Sequence, residues 1–308
     1  MKLLFRGVIL LSIPLLCNPL SVALLSPSTR TPSPSPTATR TLTPTLTPTL
    51  SPTRIENRLF ADSFDVDGVL EETDRMEKSA SPDWWVNSGG WFLQEDGIGS
   101  TSIGEAPPSS RWRQAYLLSN PWDTDQGAHP QNLFRLITRS TWSTPVQEVY
   151  FRIAADNLSA SVNRNESNGV LLFSRYIDGD NLFYAGLRVD GYAVIKKKAG
   201  GAYTTLAESA WFPGAYDRAA FPNLIPHDTW IGLRTVVLAE ADRLIIQLYI
   251  DPDRSGFWSL ALQAEELCDP SHPLAGPGHA GIRTDFMDVV FDDYAIEEPL
   301  FLSADIDD

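Results

Sequence analysis

Residues 181–198 read NLFYAGLRVDGYAVIKKK, and their pattern decides the fold. Two runs of alternating character flank Asp190-Gly191, a dipeptide that tolerates the positive φ values of a tight hairpin turn. With a period of two, Ala185, Leu187 and Val189 point to one face and Tyr184, Gly186 and Arg188 to the other. Tyr192, Lys196 and Lys198 follow on the returning strand. Working outward, further short runs rich in Val, Ile, Phe, Tyr and Trp end at Gly, Asp, Asn or Pro. Strands are predicted at Trp91 to Gln94, Ala115 to Ser119, Leu133 to Thr138, Val146 to Ala154, Val170 to Ile177, Leu182 to Val189, Tyr192 to Lys198, Trp230 to Leu238, Leu244 to Ile250, Trp258 to Gln263, Ala280 to Thr284 and Val289 to Ile296. Asp178-Gly179-Asp180-Asn181 and Gly200-Gly201 supply further turns. No apolar stripe of helical period runs beyond two turns, and nothing repeats every 20 to 50 residues, which disfavours a propeller or solenoid.

The first 54 residues are of another kind. Lys2 and Arg6 precede a short apolar run from Gly7 to Leu16, followed by Ser21-Val22-Ala23, the pattern of a secretory signal with a small-residue cleavage site. The run is too short for a membrane span, and Pro14 and Pro19 break it. Residues 1–25 are read as a signal peptide, with an uncleaved anchor as the alternative and therefore no membrane contact in the mature form unless the anchor stays. Cys17 follows Leu16, where a lipoprotein signal needs a small residue, and after cleavage Cys268 is left alone, so no intrachain disulfide is expected. Residues 26–54 alternate Pro and Thr without an aromatic residue, which predicts an extended, solvated, disordered linker. Residues 55–299 form the predicted sandwich, and 300–308 an acidic tail.

Charge excludes one class of partner. The protein's 39 acidic and 24 basic residues give a net charge of −15. Five of the bases and none of the acids lie in the first 54 residues, so the body holds 39 acids against 19 bases. Nucleic-acid binding needs a net positive footprint, and it is set aside. With 43 % hydrophobic residues the body can bury a core.

The order of motifs resembles a known family. Phe60-Ala61-Asp62-Ser63-Phe64, the pair Trp85 and Trp91, Asp180 to Arg188 with Asp190-Gly191, Trp230 to Arg234 followed by Leu248 to Asp251, and Gly281-Ile282 before Phe291-Asp292-Asp293-Tyr294 are together similar to the concanavalin A-like lectin/glucanase and laminin-G-like jelly rolls. The resemblance covers roughly residues 59 to 297. It implies an all-β, two-sheet antiparallel jelly-roll β-sandwich, a face or rim that meets glycan, and in many members a structural calcium ion. It does not imply catalysis, because fold and function are separable.

Three constellations are candidates for chemistry. Asp62 and Asp65 near the first strand and Asp292 and Asp293 in the last are candidate ligands for structural Ca²⁺, which takes six to eight oxygens. Their alternative is plain decoration of strand ends on an acidic surface. Tyr150 and Arg152 on one strand, Tyr184 and Arg188 on another, and Tyr192 and Lys196 on a third are candidate carbohydrate-binding residues. Aromatic faces stack on sugars, and Arg forks pair with uronate or sulfate; the alternative is a solvated outer face. Glu72-x-Asp74-x-x-Glu77 has the spacing of a jelly-roll glucanase motif, but no apolar alternation surrounds it, and it is read as chance. His129, His227, His272 and His279 fall in apparent loops. Trp84, Trp85, Trp91, Trp230 and Trp258 read as core or sheet-edge packing, and Trp112, Trp122 and Trp211 as exposed platforms. The expected function is non-catalytic recognition of a polysaccharide or cell-surface glycan by an exported module. The alternatives are a glycoside hydrolase or polysaccharide lyase using the same face, and a protein-binding adhesion module.

Overall fold

The structure, a computed structural model, describes residues 58–240, 242–267 and 272–299. The expected signal segment, the linker, Cys17, Cys268 and the acidic tail lie outside the described residues. The described chain forms β1 (Arg58–Asp62), β2 (Gly68–Glu71), β3 (Trp84–Ser88), β4 (Trp91–Glu95), β5 (Ile98–Ser100), α1 (Arg111–Ser119), β6 (Leu133–Trp142), β7 (Val146–Asp156), β8 (Gly169–Asp178), β9 (Asn181–Arg188), β10 (Tyr192–Ala199), β11 (Ala202–Ala210), β12 (Ile231–Glu240), β13 (Arg243–Asp251), β14 (Ser259–Leu267), β15 (Gly278–Asp285) and β16 (Met287–Glu297).

Among the described residues a nine-stranded sheet has the order β14-β13-β12-β7-β16-β5-β4-β2 with β1 on β16, and a seven-stranded sheet the order β11-β10-β9-β8-β15-β6-β3. All the pairings between these strands are antiparallel. The chain changes sheet repeatedly, at β6–β7 and β7–β8 and again at β14–β15 and β15–β16, so neighbours in space are distant in sequence. The result is a two-sheet antiparallel sandwich, as the run of short strands predicted, with the jelly-roll arrangement that the family resemblance implied.

The core lies between the sheets. Register aligns Leu172, Ala185 and Ile195 as one row across β8, β9 and β10, all facing inward. The facing sheet supplies Val149, Phe151, Ile153, Leu233 and Phe291, all fully buried. Phe134 of one sheet stacks on Phe291 of the other at 6.2 Å. Each such ring contributes on the order of 2–3 kcal/mol by leaving water. At the β9–β10 turn Gly191 has φ 81°, and a Cβ there would lie 2.0 Å from the Phe212 carbonyl oxygen, so only glycine fits.

One prediction is corrected here. Ala115 to Ser119 is the end of α1, not a strand. Ser110 caps the helix by accepting from the Trp112 N–H, and only Tyr116 is buried, so a single anchor replaces the alternation a strand needs. Strands β2, β3, β5 and β11 were not predicted. β11 is an edge strand with no buried residue, and it carries no alternating signal. The Asp178–Asn181 turn also closes differently from expectation. Asp178 Oδ1 accepts from the Asp180 N–H and the Asn181 side chain, and Gly179 does not take a positive φ.

Candidate functional site

The outer face of the seven-stranded sheet is not an ordinary solvated exterior. Leu171, Phe173, Tyr176, Leu182, Tyr184, Val194 and Ile137 form a second buried cluster there, with Met76 and Trp85 packed against it. Above it run two clefts, of about 390 Å³ and 110 Å³, that share Leu133, Tyr203, Arg283 and Asp285. They form one continuous groove across β11, β10, β9, β8, β15 and β6.

Strand parity sets the groove floor. Tyr184 on β9 is opposite Lys196 on β10, so both side chains rise from the same face. Tyr203 of β11 meets Tyr184 edge to face at 6.2 Å, and the Lys198 ammonium lies 5.0 Å from the Tyr203 ring centroid. Arg283 and Asp285, two apart on β15, project together. The Arg283 Nε lies 3.0 and 3.1 Å from the two Asp285 oxygens, and the guanidinium lies 5.9 Å from the Tyr184 ring centroid. Burial lowers the Arg283 pKa, but the Asp285 charge more than offsets this and holds it above the ordinary range. Burial also pushes the Tyr184 hydroxyl up to about 12. Arg135 on β6 ends on the Asn87 side-chain oxygen at 3.1 Å.

Two loops make the wall. Asp123 accepts from Ser161 Oγ at 2.5 Å and Asn163 Nδ2 at 3.0 Å, and Asp125 accepts from Ser159 Oγ at 2.7 Å. These bonds tie the loop before β6 to the β7–β8 loop, whose Asn163, Asn165, Ser167 and Asn168 line the groove. Burial raises the Asp123 pKa, but bonds from Ser161, Asn120 and Asn163 outweigh it and leave the carboxyl below the ordinary aspartate value. Phe286, which closes this end, has φ 56°, a strained value for a bulky side chain, held by backbone bonds to Asn132 and Asn157. The Tyr184 and Tyr203 hydroxyls and the Lys196 ammonium have no hydrogen-bond partner among the described residues.

The six candidate carbohydrate-binding residues divide between two sheets. Tyr184 and Lys196 line the groove. Arg188 lies on the same face but pairs with Asp190 and, at 3.0 Å, with Glu208, and the Tyr192 ring lies against its guanidinium. Tyr150 and Arg152 are on β7 of the other sheet. There Arg254 lies 5.0 Å from both the Tyr150 and Trp230 ring centroids, and Arg234 lies 4.1 Å from that of Trp258. Every cation in that ladder already meets a carboxylate: Arg152 with Asp228, Arg234 with Glu148, and Arg254 with Asp292 and Asp293. Tyr150 donates to Asp251 at 3.1 Å. The six residues therefore do not share one sheet face, because outward parity on a strand does not say which sheet the strand joins.

The four candidate calcium ligands are also otherwise engaged. Asp292 and Asp293 take the Arg254 guanidinium at 2.6 and 2.9 Å. Asp62 accepts from Trp84 Nε1 and the Phe64 N–H, and Asp65 from Ser63 Oγ. No group of three or more His, Cys, Asp or Glu among the described residues is placed to hold a metal ion, so the carboxylates expected to gather do not. The glucanase-like spacing disperses too. Glu72 is half-buried beside Tyr116, whose hydroxyl donates to it at 2.7 Å, whereas Asp74 is exposed and paired with Lys78. Trp211 packs on the core, Trp112 is half-buried, and Trp122 is 79 % exposed.

Arg135, Tyr203, Arg283, Asp123 and the Asn-rich loop were not predicted to belong to the site. The i, i+2 pair Arg283 and Asp285 and the run Asn163-Arg164-Asn165-Glu166-Ser167-Asn168 are the signals that could have revealed them.

No protein-family model and no curated protein matches this chain. Among solved structures it is similar to a carbohydrate-binding module of Bacillus subtilis, at 15 % identity over 70 % of this chain and 95 % of that one, with a TM-score of 0.43. A β-1,3-1,4-glucanase from a mouse hindgut metagenome is 12 % identical over 78 % of this chain and 99 % of that one, with a TM-score of 0.41. The exoplasmic domain of VIP36 is 12 % identical over 80 % of this chain and 93 % of that one, with a TM-score of 0.42. No helix among the described residues is long and apolar enough to cross a membrane.

Proposed function

We propose that this protein is an exported glycan-binding module, and that its ligand lies in the groove over the seven-stranded sheet. The observation that carries this is the groove's lining: half-exposed Tyr203 beside buried Tyr184, two phenolic hydroxyls and an ammonium without hydrogen-bond partners among the described residues, and a wall of amides and carboxylates. Sugars present apolar C–H faces and close-set hydroxyls, and this lining offers a stacking surface with convergent donors and acceptors.

The groove's ionisable groups favour binding over hydrolysis. A general acid in a glycosidase needs a raised pKa, yet Asp123 is held low and Asp285 is committed to Arg283. Glu72 is the carboxyl among the described residues that burial holds above its ordinary value, and it lines neither cleft. An imidazole base for a lyase is missing from the lining, since no histidine among the described residues borders the groove, and burial raises the Tyr184 phenol.

The test is a glycan-array and polysaccharide screen of the whole chain, with end-group analysis of every polymer bound. Binding without new reducing or unsaturated ends is the expected result. New ends would make the protein an enzyme, and silence from folded protein would overturn the glycan reading in favour of a protein-binding module.

A further inference from the structure

We infer that the groove is selective for an acidic glycan, with Lys196 and Arg283 forming a subsite for the carboxylate or sulfate of a sugar lying beside Tyr203. This rests on the glycan reading above and narrows its substrate class.

The first support is the fate of the basic side chains. Nineteen lie between Arg58 and Arg283. Most end on carboxylates, as do Arg152, Arg188, Lys197, Arg234 and Arg254. The rest donate to carbonyl or amide oxygens: Arg135 to Asn87, Arg139 to Ser81, Arg164 to Ser159, Arg175 to Leu274 and Arg218 to Ser161. Lys196 is the exception, with neither a hydrogen bond nor an ion pair among the described residues. In a chain of net charge −15, an unpaired ammonium among so many carboxylates is a site left open rather than a shortage of partners.

The second support is where it lies. Lys196 is half-buried in the groove floor opposite Tyr184, and Arg283 lines the same cleft. Burial lowers its pKa and the charges of Arg188 and Arg283 lower it further, outweighing the Glu208 carboxylate and Tyr203, neither of which bonds to it. A half-buried cation facing like charge is costly until an anion joins it. Arg283 commits Nε and Nη2 to Asp285 and leaves Nη1 without a partner among the described residues.

The third support is the sign of the groove. Its lining holds Arg135, Lys196, Lys198 and Arg283 against Asp123 and Asp285, a local positive excess on an acidic protein. Both carboxylates are already spent, Asp285 on Arg283 and Asp123 on the loop ties. Such a groove repels nothing that carries a uronate or sulfate, while the surrounding surface repels polyanions in general.

The experiment compares matched polymers on the full chain by affinity electrophoresis: polygalacturonate against its carboxyl-reduced neutral form, and dextran sulfate against dextran. The expected result is about tenfold tighter binding to at least one acidic polymer than to its neutral counterpart. The pair that shows the preference identifies carboxylate or sulfate as the anion. Lys196→Gln is expected to erase about five- to tenfold of that preference, read as the ratio of acidic- to neutral-polymer affinity within each variant, and Lys196→Arg to retain it. Circular dichroism checks that both variants fold. Equal binding of acidic and neutral forms, or a preference unmoved by Lys196→Gln, overturns the acidic-glycan inference and leaves the glycan reading standing. No retention by any of these polymers or by a wider neutral panel overturns both.

Discussion

Replacing Tyr203 with alanine should separate binding from stability. Tyr203 is 53 % exposed on edge strand β11, touching Tyr184 edge to face and the Lys198 ammonium. A sugar covering the open half of the side chain removes on the order of 100 Å² of apolar surface, about 2.5 kcal/mol at roughly 25 cal/mol per Å². Imperfect stacking and the ordering of the ligand leave about 1–2 kcal/mol, a five- to thirtyfold loss of affinity on truncation. The fold loses far less. A half-exposed cation–π contact and one edge contact are together about 1 kcal/mol, which lowers Tm by about 2–4 °C in a domain of this size. Affinity electrophoresis against any polysaccharide the native protein retains, paired with thermal melting, reads both quantities. Undiminished retention of Tyr203→Ala would refute the placement of the ligand, and a Tm fall beyond about 10 °C would show the ring to be structural.

Other parts of the architecture make their own predictions. Burial raises the Glu72 pKa, so between its ordinary and raised values the native state holds a proton that the unfolded chain has released, and stability falls as pH rises through that window. Glu72→Gln keeps an acceptor for Tyr116 and should flatten this dependence, measured as urea midpoints from mildly acidic to neutral pH. Gly191→Ala forces a Cβ to within 2.0 Å of the Phe212 carbonyl at a positive φ, and should cost about 2 kcal/mol or more by urea denaturation. Arg254→Met leaves Asp292 and Asp293 facing one another. Because these pairs are partly exposed, the loss should be only about 1 kcal/mol, seen as a Tm drop of about 2–4 °C.

Local pattern carried far into this fold and then ended at a definite kind of information. The inward sets Val149, Phe151, Ile153 and Ala185, Leu187, Val189 were legible because alternation is a property of consecutive residues, and all six are buried between the sheets. Sheet membership is not local. Tyr150 and Tyr184 look alike on parity, but β7 pairs with β12 and β16 whereas β9 pairs with β8 and β10. Arg188 looked free for the same reason, since Glu208 is brought to it by strand pairing across 20 residues of chain. Helix α1 was misread because Ala115-Tyr116-Leu117-Leu118 suits a strand in composition, while the Ser110 cap that decides the matter stands five residues earlier. Tyr203 was missed because an edge strand with no buried face leaves no apolar period to detect.

The division of the groove into floor and wall has a consequence for divergence. Floor side chains are positioned by strand register over a buried cluster, so changing one disturbs the packing beneath it. The wall is two loops clasped by Asp123 and Asp125, and loops tolerate insertion and substitution at little cost to the scaffold. On the proposed glycan reading, descendants of this chain would therefore change sugar preference by rewriting residues 120–132 and 157–168, while inheriting the Tyr184, Lys196 and Arg283 floor unchanged. Loop grafting between such siblings is the corresponding route for engineering a new preference onto the same sandwich.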